Sequence, residues 1–270
     1  MPIFLDRHDL SGLSAADIAE AHRKDLEVQE RYGVRFLTYW FDESRGSGFC
    51  LIDAPDMETA MRVHDEAHGD VATHVIPVDM SAVEAFLGRV ADPPAATPES
   101  AQAHDAAFRA VMFTDIVDST GMTARLGDAR SVEIVRAHDS IVRRALRDEG
   151  GREVKHLGDG IMASFDSADA AVRCGQAIQR ALDGFNSASA EPLRLRVGIH
   201  AGEPIEDSND LFGATVQMAA RICQAAPAGA IAVSATVRDG LTADFPVTGL
   251  GPRALKGFAD PVPLFEVAWH

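Results

Sequence analysis

Apolar and polar positions follow two different periods along the chain. "PIFLDRH" (from Pro2), "VRFLTYWFDE" (from Val34) and "GFCLIDA" (from Gly48) read as strands, and "SRGS" between the last two is a hairpin signal. "AADIAEAHRKDLEVQERY" reads as a helix, with Ser14 as its N-cap, Asp17 in its first turn and Gly33 as its stop. Asp56 opens a second helix, "METAMRVHDEAHG", and "ATHVIPVD" closes the set as a strand. The order βαββαβ is the ferredoxin-like plan. A short helix is expected over 81–90.

The pattern breaks at "ADPPAATPESAQA", from Ala91, where proline, alanine and small polar residues replace apolar periodicity. That composition predicts a linker. The expected organisation is a first domain over 1–90, a linker over 91–104 and a second domain over 105–270. The second begins with the strand "FRAVMFTDI". Helical stretches "STGMTARLG" and "ARSVEIVRAHDSIVRRALRDEGG" follow, the latter with Val135, His138, Val142 and Leu146 on one face. "REVKHLGDGIMASF" reads as two strands around a Gly-Asp-Gly turn. A long amphipathic helix, the alternating strand "LRLRVGIHAGEP", the helix "ATVQMAARICQAA" and terminal strands with a short helix complete it. Helices interleaved with hairpin strands predict an α+β sandwich.

The chain has 270 residues, 46% of them apolar, enough for two cores. Acidic residues outnumber basic ones by 41 to 25, for a formal charge of -16. A surface this negative repels phosphate backbones and argues against a nucleic-acid partner, but a local pocket or bound cations still admit a nucleotide. Cys50, Cys174 and Cys223 lie far apart, so a disulfide scaffold is not expected and a reducing compartment is. "MPIFLDRHDL" is too charged and its apolar stretch too short for a signal peptide, and no apolar run reaches membrane-span length. A cytoplasmic protein with no membrane partner is the expectation.

Two acids stand out. Asp115 follows an apolar strand, and Asp159 sits in a tight turn with glycine on both sides. Such glycines let backbone and carboxylate approach a ligand closely. Two carboxylates brought together need a cation between them, and hard oxygens suit Mg²⁺ or Mn²⁺. Either aspartate alone is equally well explained by local turn hydrogen bonds.

"FTDIVDST", "KHLGDGIMASF", "LRVGIHAGE" and "DLFGATVQMAARI" occur in the order and at about the separations of the class III nucleotidyl cyclase catalytic domain, and "ALKGFADPVPLFEV" is similar to the end of that domain. The resemblance covers about residues 105–270. It implies that the ribose 3′-hydroxyl attacks the α-phosphate and expels pyrophosphate, with two Mg²⁺ or Mn²⁺ ions per site, about 3.5–4 Å apart. Asp115, Asp159 and the Ile116 carbonyl would hold the ions. Lys155 and Asp210 match the positions that read the purine; a lysine donor for N1 and an aspartate acceptor for N6 favour ATP over GTP. Arg221 matches the arginine that stabilises the phosphoryl group in flight. Arg196 and Lys256 match triphosphate contacts. Gln217 departs from the family's asparagine by one methylene, which keeps the amide but shifts it. Such sites form between two protomers: Asp115, Asp159 and Arg196 from one, Lys155, Asp210, Gln217 and Arg221 from the other. A homodimer with two equivalent sites follows.

The first region, through "FLDRHDL", "AHRKDLEVQERYGV", "FLTYWFDE" and "VHDEAHG", resembles a small ferredoxin-like family of bacterial proteins, some described as nickel-binding. His64 and His68 are four apart on the expected helix and share a face; His8 ends a strand and Cys50 lies on another. These four form the candidate metal set, and imidazole suits Ni²⁺ as well as zinc or copper. Solvated histidines and a core cysteine are the plain alternative, as are an organic ligand or a dimerisation role. The combined reading is an adenylate cyclase with a metal-sensing regulatory domain. The rival is a non-enzymatic or weakly active metal sensor whose cyclase-like domain only binds nucleotide or dimerises.

Overall fold

A computed structural model describes residues 1–69, 72–92, 106–204 and 213–270. The chain divides between Ala107 and Phe108 into two units. Most of the expected linker, from 93 on, lies outside the described residues. Among the described residues no helix is long and apolar enough to cross a membrane.

The first unit runs β1 (Ile3–Asp9), α1 (Ala15–Tyr32), β2 (Arg35–Asp42), β3 (Ser47–Asp53), α2 (Met57–Ala67), β4 (His74–Val78) and α3 (Met80–Leu87). Its sheet order is β2-β3-β1-β4, and every pairing is antiparallel. This is the ferredoxin-like arrangement, with β1 inside and Asp6 directly opposite Cys50. The ends of α1 obey their sequence signals. Ser14 and Asp17 form a reciprocal capping box, and Gly33 takes a left-handed φ of 63° that lets its N–H reach the last carbonyls. The Asp56 carboxylate accepts from the Thr59 N–H at 2.7 Å to start α2. That helix is shorter than expected: it ends at Ala67, and His68 is its cap.

The second unit runs β5 (Arg109–Ile116), α4 (Ser119–Leu126), α5 (Asp128–Asp148), β6 (Arg152–His156), β7 (Ile161–Phe165), α6 (Ala168–Ala188), β8 (Leu195–Gly202), α7 (Gly213–Ala225), β9 (Ile231–Ser234), α8 (Ala235–Asp239), β10 (Val247–Arg253) and β11 (Val262–Val267). Its sheet order is β10-β11-β9-β8-β5-β7-β6, antiparallel except for β8 with β9. β5 is therefore central, flanked by β8 and β7. The two-residue period sends Met112 and Ile116 into the core with Val142, Val172 and Ile178 of α5 and α6, and turns Asp115 to the opposite face. On that face α7 lies against β8 so closely that a Cβ on Gly198 would sit 2.2 Å from the Cys223 nitrogen.

Burial disfavours the charged form of two histidines, one part-buried and one fully buried. His200 accepts or donates at 2.8 Å with the Ser234 hydroxyl, and burial pulls its pKa down to about 4. His138, wholly buried, is lowered by burial against a partial compensation from Asp139. Between the unfolded imidazole value near 6.5 and the folded value, the unfolded chain binds protons the folded chain refuses, so stability falls as pH drops. The melting temperature of the second unit is expected to decline from pH 6.5 toward 4. In His200→Gln that decline should be shallower. Calorimetry across this range checks it, and equal slopes in both proteins would contradict it.

Candidate functional site

β5 delivers Asp115 to the edge of the sheet and then stops. Asp118, at φ 58° and ψ 39°, is the only non-glycine residue with positive φ among those described, and it turns the chain into α4. The Asp118 carboxylate folds back over Gly121, 2.3–2.6 Å from where a Cβ would sit.

The Gly158-Asp159-Gly160 turn between β6 and β7 comes back against this point. The Ile116 N–H donates to the Asp159 carbonyl at 3.1 Å. A Cβ on Gly160 would meet the Thr114 carbonyl oxygen at 2.1 Å, so only glycine fits. Ser119, at the start of α4, donates its hydroxyl to the Asp159 carboxylate at 2.5 Å. The Asp115 carboxylate pairs with Arg196, its register partner on β8, and the Arg196 guanidinium also donates to the Gln224 carbonyl at 3.2 Å. Asp115 and Arg196 are each about a third exposed, at 30% and 29%. The buried Cys223 thiol, raised to about 12 mainly by burial, feels both Asp115 and Asp159. Two partly exposed carboxylates beside the Ile116 backbone make an all-oxygen donor set, which fits Mg²⁺ or Mn²⁺ and not a soft metal.

The remaining candidates lie elsewhere on this chain. Lys155 is exposed on the edge strand β6, next to a bulge between Glu153 and Lys155. Gln217 is exposed on α7. Arg221, one turn on, donates to the Lys256 carbonyl at 3.1 Å and to the Gln224 amide oxygen at 2.8 Å. Lys256 is exposed between β10 and β11. Asp210 lies outside the described residues. The partners of the Asp115 and Asp159 carboxylates are Arg196 and Ser119; Lys155, Gln217 and Arg221 are not among them.

In the first unit a second cluster forms. Asp6 and His8 alternate onto the inner face of β1, where Asp6 Oδ2 lies 2.8 Å from His64 Nε2 and Asp6 Oδ1 accepts from the Cys50 N–H at 2.9 Å. Across α1, Asp25 Oδ1 lies 3.2 Å from both His64 Nδ1 and His68 Nε2. A cavity of about 30 Å³ opens among His8, His22, Asp25, Cys50, His64 and His68. Burial alone would lower the His64 pKa, but Asp6 and Asp25 raise it to about 10. Asp6, despite burial, is held well below the usual carboxylate range by His64 and His8. Burial, and then Asp6 and Asp25, push the Cys50 thiol up. The four expected ligands thus divide between two groups: His8, Cys50 and His64 join Asp6, and His64 and His68 join Asp25.

Residues 100–265 match the family described as adenylate and guanylate cyclase catalytic domain. The chain belongs to that family. Residues 4–78 match a second, described as nickel responsive protein SCO4226-like. The cyclase part is 34% identical over 155 residues to an uncharacterized protein of Mycobacterium tuberculosis, covering 57% of this chain and 40% of that one. It is 35% identical over 150 residues to an adenylate cyclase of Podospora anserina, covering 46% of this chain but 7% of the fungal protein. This chain therefore spans well under half the length of these relatives. Among solved structures it resembles an adenylate cyclase from Trypanosoma brucei (26% identity, TM-score 0.52, 60% of this chain and 89% of that one). A guanylate cyclase domain from Catenaria anguillulae in complex with GTP shares the fold at 22% identity (TM-score 0.53, 60% and 96%).

Sequence reasoning missed Ser119, Asp6 and Asp25. Asp6 and His8 two apart on a strand, and His22 and Asp25 three apart on the buried face of α1, were the available signals, each an ionisable pair on an otherwise apolar face. Nothing local marks Ser119, whose partner is forty residues away. The cyclase turn can be tested without any assay of turnover. Gly160→Ala must push the turn off Thr114, so the Ile116 amide is expected to lose its acceptor and exchange with deuterium much faster, while core amides of β8 stay protected. Unchanged protection at Ile116 would contradict the close fit.

Proposed function

We propose that the second unit is an adenylate cyclase that converts ATP to cyclic AMP and pyrophosphate, and that the first unit regulates it by binding a metal such as Ni²⁺. The observation that carries the catalytic half is the Ile116–Asp159 hydrogen bond, which brings the strand bearing Asp115 and the turn bearing Asp159 to one place.

In this reading Asp115, Asp159 and the Ile116 carbonyl hold the cations. Bound Mg²⁺ or Mn²⁺, two per site, supplies Lewis-acid chemistry, making the ribose 3′-hydroxyl more acidic and neutralising the triphosphate. Ser119 fixes the Asp159 carboxylate. Arg196, which pairs with Asp115 in the free chain, turns to the triphosphate when substrate arrives, and Lys256 adds a phosphate contact. The new bond joins O3′ to the α-phosphorus, the bond to the bridging oxygen breaks, pyrophosphate leaves and the hydroxyl proton passes to solvent. Arg221 donates to the α-phosphoryl oxygens as their charge grows, and Gln217 orients the ribose side of the substrate. Lys155 donates to adenine N1 and Asp210 accepts from N6.

Among the described residues Lys155, Gln217 and Arg221 form no hydrogen bond or ion pair with Asp115 or Asp159, which accords with a site completed by a second copy of the chain. A homodimer would then carry two such sites. Both adenylate and guanylate cyclases share the fold, so Lys155 and Asp210 carry the choice of base.

Purified protein given ATP with Mn²⁺ or Mg²⁺ is expected to form cyclic AMP, and Asp159→Ala is expected to lose at least about a hundredfold in rate. Lys155→Glu should erode the preference for ATP over GTP. Added Ni²⁺ should change turnover in the native chain and not in His64→Gln. Product no higher than in Asp159→Ala would favour the non-enzymatic sensor.

Shared sites have a separate signature. Asp159→Ala and Arg221→Ala are each expected to be inactive alone. Mixed in equal amounts, half of the dimers are hybrids with one intact site of two, so about a quarter of native activity should return. No recovery after exchange of subunits would rule out a shared site.

A further inference from the structure

The ring of His64 faces two ligand groups at once. Its Nε2 looks toward Asp6, 2.8 Å away, and shares that side with His8 and Cys50. Its Nδ1 looks toward Asp25 and His68, each at 3.2 Å. The two lone-pair directions of an imidazole diverge, so one ion cannot occupy both. Each group also contains a buried polar atom without a hydrogen bond. His8 Nε2 approaches Asp6 at 3.3 Å but is not aligned with it, and Asp25 Oδ1 has no aligned donor. Their residues are 4% and 1% exposed, and both line the cavity. Buried groups left open in this way are uncommon unless water or an ion completes them.

We propose that the first unit holds two divalent ions joined by the His64 imidazole, one bound by Asp6, His8, Cys50 and Nε2 of His64, the other by Asp25, His68 and Nδ1 of His64. This rests on the reading that the unit binds metal. No lysine or arginine among the described residues pairs with Asp6 or Asp25. With both ions bound, Cys50 as thiolate, His64 as bridging imidazolate and the two aspartates supply four negative charges, which two dications balance. Ligand atoms within each group lie within 4.8 Å of one another, so modest inward movement reaches coordination distances of about 2.0–2.3 Å. The cavity admits water to fill the second, three-ligand position. Nitrogen, oxygen and a single sulfur together suit cobalt, nickel or zinc over magnesium or calcium. Occupancy requires the Cys50 proton and the ring proton or protons of His64 to leave to solvent.

The test counts and inspects Co²⁺ in the full-length chain carrying Asp115→Asn and Asp159→Asn, so that the cyclase acids are removed as ligands. After reduction, chelation and reloading, two equivalents per chain are expected to survive desalting. A near-ultraviolet sulfur-to-cobalt charge-transfer band should be present and should vanish in Cys50→Ser. His68→Ala and Asp25→Asn should each retain one equivalent with the band intact. The molar magnetic susceptibility of the two-ion form should fall below twice that of the one-ion variants, because an imidazolate couples the ions. Far-ultraviolet circular dichroism identifies variants that have unfolded, and His68→Ala, at the end of α2, removes a ligand without opening the core. One retained equivalent with the band intact would overturn the bridged pair and leave metal binding standing. Two equivalents whose susceptibilities simply add would also overturn the bridge. No retained cobalt would remove the metal reading itself.

Discussion

A single backbone contact governs the cyclase unit. The Ile116 N–H reaches the Asp159 carbonyl because Gly160 lets the β6–β7 turn lie against the Thr114 carbonyl. No side chain larger than hydrogen fits there. The contact brings the strand bearing Asp115 and the turn bearing Asp159 together, and each carboxylate has its own partner, Arg196 for Asp115 and Ser119 for Asp159.

In the first unit the carboxylates lie deeper. Asp6 and Asp25 are both deeply buried, and imidazoles answer them in place of lysine or arginine. Imidazole can meet a carboxylate as a proton carrier or as a metal ligand, which lysine and arginine cannot. The same set of atoms balances the buried charge and makes the candidate ligand set. The proposed binding would exchange protons for metal, a change in local charge of the kind a switch can use.

Much of the architecture was legible because its causes are local. The capping box at Ser14 and Asp17, the left-handed Gly33, the Asp56 cap and the hairpin around Gly158-Asp159-Gly160 depend on residues within a few positions of one another. The end of α2 follows a local signal too, since Gly69 takes a left-handed φ of 82° and donates its N–H to the His64 carbonyl; the contacts of His68 with Asp25 and His64 were not legible. The four ordered cyclase motifs singled out Asp115, Asp159 and Arg196 as candidates. They could not show that Arg196 lies opposite Asp115 across β5 and β8.

By itself the sequence determined the periods, the caps, the turn chemistry and the identity of the ionisable groups, because each is encoded in neighbouring residues. Tertiary structure alone decided which of those groups meet. Ser119 finds Asp159 forty positions away, and His64 finds Asp6 and Asp25 on two different elements. Such pairings follow from strand order and from how closely helices can approach a sheet, and both are set by packing across the whole unit.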